Sequence, residues 1–231
     1  EVPFFLYLAH TAPHWPLHAH PEDIARYDGV YAEGWDAVRT ARHETMRAAD
    51  LFQTNWDISP RDDGVHKWSD EPNTDWEAAK MATYAAMVDR MDQGIGKIVS
   101  QLEETEQLDN TLILFLSDNG TDPFSVVDQA MLKHGLLPGD PGSNYQPGNG
   151  WAYASVTPWR LYKISQHGGG VTTGAIAHWP KGFSEKGNIV HTPLHVIDIK
   201  PTFLKGELLP RKTPLFFQYM DNRAIRTSQW T

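Results

Sequence analysis

The sequence predicts an α/β fold, in which helices alternate with the strands of a sheet. The clearest strand is the continuous apolar run at residues 111–116, which follows a turn signal at Asp109 and Asn110. Directly before it, over residues 74–106, apolar side chains recur every three or four positions and predict a long amphipathic helix. A helix that leads into a buried strand is the repeating unit of doubly wound sheets.

The chain opens on an apolar stretch at residues 3–9, which predicts a first strand. A loop with histidines at positions 10, 14, 18 and 20 follows, and Pro13 and Pro16 exclude the helix that their spacing would otherwise allow. His14 stands out because the flanking prolines and Trp15 restrict its backbone, and acid–base catalysis needs a positioned imidazole. The alternative is a solvated loop histidine.

The next segments alternate between helix and irregular chain. Residues 21–50 are polar and are predicted to be partly helical. Residues 52–72 are rich in Asp, Pro and Trp and predict a long loop of the kind that borders binding sites. Thr74 and Glu77 have the spacing of a capping box, which predicts where the long helix begins.

The remaining segments are shorter. Residues 138–158, rich in Gly, Pro, Asn and Ser, predict an ordered loop or lid. The triple glycine at 168–170 either allows a close approach of the backbone to a ligand or forms a flexible hairpin. Three short elements are predicted after it: a strand at residues 175–179, a helix or strand at 196–199 that Pro201 limits, and an antiparallel hairpin of residues 214–219 and 223–226.

Polar residues follow the strand at 111–116 directly: Ser117, Asp118, Asn119 and Gly120. In open α/β sheets, ligands bind beyond the carboxyl ends of the strands. Carboxylate and amide oxygens suit Ca²⁺ or Mg²⁺ better than a soft metal. Asp-Asn-Gly is also a common turn sequence, so these residues alone leave both a cation site and a simple turn open.

Composition argues against several classes of function. The 231 residues carry a net charge of −9 without a cluster of Lys and Arg, which argues against a nucleic-acid-binding protein. The absence of cysteine excludes a disulfide framework, a thiolate nucleophile and a cysteine-type zinc site. No stretch is apolar over a length that would span a bilayer.

Three motifs occur in a fixed order: Ala-Pro-His-Trp-Pro-Leu at 12–17, Leu-Ser-Asp-Asn-Gly at 116–120, and Tyr-Lys at 162–163 followed by the glycines. In these motifs, and over essentially its whole length, the chain resembles the type I sulfatases, in particular the bacterial arylsulfatases. The resemblance implies an alkaline-phosphatase-like α/β fold. Its mixed, largely parallel sheet is sandwiched by helices, and a small antiparallel sheet follows at the C-terminal end.

The resemblance also implies roles for four residues. Asp118 and Asn119 match calcium ligands, with Mg²⁺ as an alternative ion, and Lys163 matches the lysine that binds sulfate oxygens. His14 matches the histidine that contacts the sulfate and assists the leaving group, so both His14 and Lys163 are expected to be catalytic and substrate-binding. The implied function is hydrolysis of an aryl or carbohydrate sulfate ester with a formylglycine nucleophile, in a periplasmic or secreted protein.

The chain departs from the family pattern in its nucleophile. No Cys/Ser-x-Pro-x-Arg motif is present, and the Asp62-Asp63 pair lies too late in the chain to complete the calcium site. We therefore expect the C-terminal part of a longer chain, inactive alone, with residues 1–204 in the α/β domain and 205–231 in an incomplete antiparallel subdomain. Gly168 replaces a family glutamate, a change that bears on how Lys163 is positioned.

Two other functions stay open at this point. A phosphate or phosphonate ester hydrolase could use the same scaffold, because sulfuryl and phosphoryl groups have the same shape. A non-catalytic protein that binds sulfated glycans would keep Lys163 and His14 for anion contact. The identity of the nucleophile distinguishes the first from a sulfatase, and turnover distinguishes the second.

Overall fold

The computed structural model describes residues 2–52, 56–125, 129–205 and 213–227. In chain order, its helices and strands are α1 (Pro21–Ile24), α2 (Gly34–Ala48), α3 (Thr74–Glu104), β1 (Ile113–Leu116), α4 (Gln129–Lys133), α5 (Asn149–Ser155), α6 (Gly168–Val171), β2 (Ala175–His178), α7 (Ile199–Lys205), β3 (Leu215–Tyr219) and β4 (Asn222–Arg226). Short 3₁₀ turns lie at Ala25–Tyr27, Trp68–Asp70, Leu108–Asn110 and Val196–Asp198.

The chain divides into two compact units, which are described separately. The first unit consists of Glu1–Val38, Asp63–Asp109 and Asp122–Ala154, and the second of Arg39–Asp62, Asn110–Thr121 and Ser155–Thr231. None of the described helices is long and apolar enough to cross a membrane.

The long helix of the first unit, α3, matches the amphipathic pattern of the sequence. It begins at Thr74, but the predicted capping box is wrong, because Asn73 occupies the N-cap position and no side chain caps the helix. Asp75 and Glu77 lie in the first turn, where negative charge is favourable next to the positive end of the helix dipole. Helix α1 packs against α3, and Arg90 of α3 forms an ion pair with the buried Asp23 of α1 at 2.5 Å.

Tryptophan side chains form the centre of the first unit. Trp35 and Trp151 are buried, and their ring centroids lie 5.7 Å apart in an edge-to-face arrangement. Trp68 joins them, with its ring centroid 4.7 Å from that of Trp35. Packing of this kind accounts for Trp35 and Trp151 as core residues, while Trp68, which contacts both rings, is half-buried.

Helix α5 corrects the prediction of a loop over residues 138–158. Its seven residues are mostly buried, so they lack the amphipathic pattern by which a surface helix is identified. A Cβ atom at Gly150 would lie 2.6 Å from the ring of Trp35, so this glycine allows close packing of the helix. The glycine that indicated a loop in the sequence is a packing requirement of the core.

The second unit contains the paired strands. β1 pairs antiparallel with β2, with Ile113 opposite His178 and Leu116 opposite Ala175, so both predicted strands are confirmed. The predicted burial of β1 is wrong, because Leu114 and Phe115 are exposed. β3 and β4 form the predicted antiparallel hairpin, which turns at Met220. The largely parallel sheet that the family resemblance implies is not formed within the described residues, because both strand pairs are antiparallel. Parallel pairing is limited there to one isolated bridge between His18 and Gly139 in the first unit.

Two other predictions are corrected. Residues 3–9 are not a strand: they are irregular and exposed, since no described segment supplies the hydrogen-bonded neighbour that a strand requires. Residues 196–199 are helical, which is one of the two conformations predicted for them, but the predicted limit at Pro201 is wrong because this proline lies inside α7. A proline in the first turn of a helix is tolerated because the N–H it lacks has no partner within the helix there. The predicted boundary at 204/205 adjoins residues 206–212, which lie outside the described residues, and it stays a prediction.

Candidate functional site

The second unit joins the loop after β1 to the segment that carries Lys163. The backbone N–H of Lys163 donates to the carbonyl oxygen of Thr121 at 3.1 Å. The N–H of Gly120 donates to the carbonyl oxygen of Gly170 at 3.0 Å. These bonds place Lys163 and the predicted cation ligands, Asp118 and Asn119, on two loops that are tied to each other.

A third hydrogen bond extends this connection, because the hydroxyl of Thr173 donates to the carbonyl oxygen of Ser117 at 3.0 Å. The hydroxyl of Ser117 donates to the carbonyl oxygen of Asn119 at 2.9 Å and closes the tip of the loop. Asp118 is exposed and Asn119 is half-buried, so both can reach a ligand from outside the unit's core.

The glycines of the two motifs are in direct backbone contact. A Cβ atom at Gly120 would overlap the carbonyl oxygen of Gly169. One at Gly169 would overlap the carbonyl oxygen of Leu161, and one at Gly170 that of Ser165. The triple glycine therefore does not form a flexible hairpin. It begins the short helix α6 and lets three stretches of backbone approach closely.

Lys163 lies in a turn with an unusual backbone. Leu161 and Ile164 both have positive φ, +57° and +71°, a region that residues other than glycine rarely adopt. Two hydrogen bonds hold the turn: from the N–H of Ser165 to the oxygen of Tyr162 at 3.1 Å, and from the N–H of Gly169 to the oxygen of Arg160 at 2.9 Å. Backbone in this conformation persists only where its surroundings fix it, which is typical of ligand-binding loops.

Asp62 lies against this turn. Its side chain is 3% exposed, and Oδ1 lies 3.8 Å from Nε of Arg160. Its Oδ2 accepts a hydrogen bond from the backbone N–H of Leu161 at 3.3 Å. Burial, and to a lesser extent the nearby Asp62 carboxylate, raises the pKa of Tyr162 above its ordinary value.

Arg39 fixes the segment just before the turn. Its guanidinium is buried and donates to Oγ of Ser59 at 2.7 Å and to the carbonyl oxygen of Trp159 at 3.1 Å. It also reaches Oγ1 of Thr157 at 3.4 Å. A guanidinium that bonds several groups at once holds the chain that leads into the Lys163 turn.

Sequence reasoning missed both Arg39 and Asp62. The sequence indicates no role for Asp62, because the Asp62-Asp63 pair lies too late in the chain to match the family's calcium ligands. No local pattern could have identified either residue, because their partners are distant in the sequence: Leu161 is 99 positions from Asp62, and Trp159 is 120 from Arg39.

The side chains that follow β1 are of the type that binds a hard cation, but they are too few to complete a site. Asp118 offers a carboxylate and Asn119 an amide oxygen, the groups that Ca²⁺ and Mg²⁺ prefer. Within the described residues, no group of three or more His, Cys, Asp or Glu could hold a metal ion. Since Ca²⁺ takes about six to eight oxygen ligands, the two residues can supply only part of a site.

His14 lies in the first unit, so the structure brings Asp118, Asn119 and Lys163 together in one unit and places His14 in the other. The imidazole is exposed, and its Nδ1 lies 2.8 Å from the carbonyl oxygen of Trp15. Because a carbonyl oxygen can only accept, Nδ1 carries a proton, and in the neutral ring the lone pair is at Nε2. His14 can therefore donate from Nε2 only as the imidazolium ion.

Comparison with known proteins shows clear similarity over most of the chain. A family model described as Sulfatase matches residues 1–205. An uncharacterised sulfatase of Schizosaccharomyces pombe is 35% identical over 223 residues, which are 90% of this chain and 40% of the yeast protein. An arylsulfatase of Klebsiella aerogenes is 30% identical over 217 residues, which are 87% of this chain and 46% of the bacterial protein. The chain thus spans less than half the length of these relatives.

A solved structure has a similar fold. The crystal structure of Ps i-CgsB in complex with k-i-k-neocarrahexaose matches 97% of this chain and 39% of its own, with a TM-score of 0.55 and 24% identity. Together with the family match, this similarity confirms the alkaline-phosphatase-like α/β fold predicted from the sequence. The hairpin of β3 and β4 corresponds to the small C-terminal antiparallel sheet.

Proposed function

The chain belongs to the sulfatase family, and from this membership we propose that its protein hydrolyses sulfate esters of the aryl or carbohydrate type. The family resemblance predicted from the three motifs is thereby confirmed. One structural observation carries the proposal: the loop of Asp118 and Asn119 is bonded through its backbone to the loop of Lys163. A bound cation and an ammonium group, held on two loops that are hydrogen-bonded to each other, could both contact the same anionic group.

Lys163 is proposed to bind the oxygens of the sulfate group. The charge of a sulfate monoester spreads over those oxygens in the transition state, and a fixed cation stabilises it. Asp118 and Asn119 would hold Ca²⁺, or Mg²⁺, which when bound supplies further positive charge to the same oxygens. The backbone N–H of Lys163 donates to the carbonyl oxygen of Thr121, and this bond fixes the backbone of Lys163 relative to the loop that carries Asp118 and Asn119.

His14 is proposed to act as the general acid. When the S–O bond breaks, its electron pair stays on the alkoxide or phenoxide oxygen, and that oxygen takes the proton from Nε2 of the imidazolium. The hydrogen bond from Nδ1 to the Trp15 carbonyl orients the ring for this step. The nucleophile, expected as a formylglycine, is not among the 231 residues, so we propose that the chain alone is inactive.

Family membership also suggests where the protein acts and what it binds. We propose a periplasmic or secreted location and a small-molecule or carbohydrate sulfate ester as the ligand. No role for nucleic acid is proposed, because the chain has a net charge of −9 and no basic cluster.

Turnover of p-nitrophenyl sulfate by the full-length protein tests the proposal. Lys163→Ala should lower kcat/KM by about 10²-fold or more, as loss of an electrostatic donor does elsewhere. Lys181→Ala, which removes an exposed lysine of the same unit, is the matched control and should leave turnover unchanged. Turnover of p-nitrophenyl phosphate in preference to the sulfate would favour the phosphoesterase alternative, and sulfate binding without any turnover would favour the glycan-binding alternative.

A further inference from the structure

One buried carboxylate contacts two consecutive residues of the turn that carries Lys163. Asp62 accepts the backbone N–H of Leu161 at 3.3 Å with one oxygen. Its other oxygen lies 3.8 Å from Nε of Arg160 and has no hydrogen-bond partner within the described part of the chain. The carboxylate therefore acts on the turn chiefly through the Leu161 N–H.

A charged group in this position needs a reason. Burying a carboxylate is costly unless its charge is well compensated, and an apolar side chain of similar size would fill the same space without that cost. Arg160 compensates the charge weakly, because its own side chain is 60% exposed. An apolar side chain could not, however, accept a hydrogen bond from the backbone N–H of Leu161.

That hydrogen bond acts at the most constrained point of the turn. Leu161 has a φ of +57°, which a leucine adopts only where other contacts determine it. Lys163 follows two positions later, and its own N–H is bonded to the oxygen of Thr121. The backbone of Lys163 is thus held by Thr121 directly and by Asp62 through Leu161.

We propose that Asp62 is a positioning residue for Lys163: its hydrogen bond to the Leu161 N–H sets the turn from which the ammonium group meets a sulfate oxygen. The inference rests on the proposed function, because it assigns Asp62 a role in sulfate binding through Lys163. A displacement of about 1 Å in a group that contacts the substrate can cost about 10²-fold in rate.

Substitutions at position 62 of the full-length protein test this role, read as kcat and KM for p-nitrophenyl sulfate and as the dissociation constant of inorganic sulfate from calorimetry. Asp62→Ala should weaken sulfate binding and lower kcat/KM by about tenfold or more. Asp62→Asn keeps an acceptor oxygen for the Leu161 N–H and should retain most of the wild-type values. Asp63→Ala removes the exposed neighbouring carboxylate and should change nothing.

A double-mutant cycle with Lys163→Ala separates positioning from general support of the fold. If Asp62 acts through Lys163, Asp62→Ala has no further effect on sulfate affinity or kcat/KM once the lysine is gone. Equal losses in both backgrounds would overturn the proposal. If Asp62→Ala does not fold, Asp62→Glu provides the test, since it keeps the charge but moves the acceptor by one methylene; wild-type affinity and kcat/KM in that variant would also overturn it.

The two proposals fail in different ways. If the wild-type protein turns over no sulfate ester, the sulfatase proposal is wrong. The sulfate affinities of the variants would still test the role of Asp62. Wild-type turnover that depends on Lys163 but not on Asp62 would overturn only the positioning role.

Discussion

Gly120 donates its backbone N–H to the carbonyl oxygen of Gly170 at 3.0 Å, and through this bond the two glycine-containing motifs of the second unit meet. A short peptide with the sequence of either motif could adopt many loop conformations. Their contact selects one arrangement, in which the Asp118 loop and the Lys163 turn share backbone hydrogen bonds. The glycines are needed for close approach at this contact.

Substitution of Gly120 by alanine tests that contact. The added Cβ would overlap the carbonyl oxygen of Gly169, which is backbone and cannot move away as a side chain could. Gly120→Ala should therefore lower the free energy of unfolding by about 1–3 kcal/mol, the usual cost of overpacking. Urea unfolding measures this. Gly174→Ala is the control, because nothing lies within 4 Å of a Cβ at that position; equal stability of the two variants would contradict the contact.

Gly150 and Gly96 should respond to alanine in opposite directions. At Gly150, in the buried helix α5, the new Cβ would lie 2.6 Å from the ring of Trp35, so the variant should be destabilised by about 1–3 kcal/mol. At Gly96, on α3, a Cβ meets nothing within 4 Å. Gly96→Ala should stabilise the protein by about 0.5–1 kcal/mol, because alanine is the better helix former. Thermal unfolding of both variants checks the signs. An unchanged or raised unfolding temperature for Gly150→Ala would contradict the packing of α5, and a lowered one for Gly96→Ala would contradict the open space at that position.

The sequence predicts correctly those helices and strands whose own residues carry a clear hydrophobic pattern. The strand at 113–116 has a continuous apolar run, and α3 has a regular amphipathic repeat, so both could be identified from sequence alone. Helix α5 could not, because it is buried among tryptophans and contains a glycine that a surface helix would avoid. Residues 3–9 have the composition of a strand, but a strand also needs a partner, and composition says nothing of the partner.

The candidate site divides in the same way. Asp118, Asn119 and Lys163 lie in motifs with a family resemblance, which allowed their roles to be predicted. Asp62 acts through a residue 99 positions away, and only the folded chain brings the two together. The roles of all four residues stay predictions, which turnover and ligand affinity of their variants decide.

Asp89 of the first unit should contribute a pH-dependent term to stability. It accepts hydrogen bonds from Arg26 at 3.0 Å, Tyr27 at 3.2 Å and Gln93 at 2.8 Å. These bonds, that from Gln93 most of all, lower the pKa of Asp89 below its ordinary value of 3.8. Because the folded state favours the ionised form, the stabilisation is present above the unfolded pKa and is lost as the pH falls through the folded one.

Asp89→Asn should therefore be less stable than the wild type at pH 7, and this difference should shrink on the acid side of pH 4. Urea unfolding at both ends of this range measures it. Asp92→Asn, which changes an exposed carboxylate of the same helix, should show no such convergence. A difference for Asp89→Asn that is the same at both pH values would show that the bonds to Asp89 do not depend on its charge.

The last prediction concerns the cation ligands, and its first measurement needs no turnover. A cation that binds the folded state raises the unfolding temperature as its concentration rises, to an extent set by its affinity. In the full-length protein, Asp118→Ala should raise the calcium concentration that gives half of this effect by about tenfold or more, since even residues that only support a metal site cost this much when lost. Asn119→Asp, which keeps an oxygen donor and adds charge, should retain the effect.

The control for Asp118 is Asp109→Ala, which removes an exposed carboxylate from the turn before β1. It should leave the calcium response unchanged. In the wild type, a chelator should abolish turnover of p-nitrophenyl sulfate and added calcium should restore it, while in Asp118→Ala restoration should require more calcium. If calcium stabilises the wild type and Asp118→Ala alike, the loop after β1 is a simple turn, and its contact with the Lys163 loop has only a structural purpose.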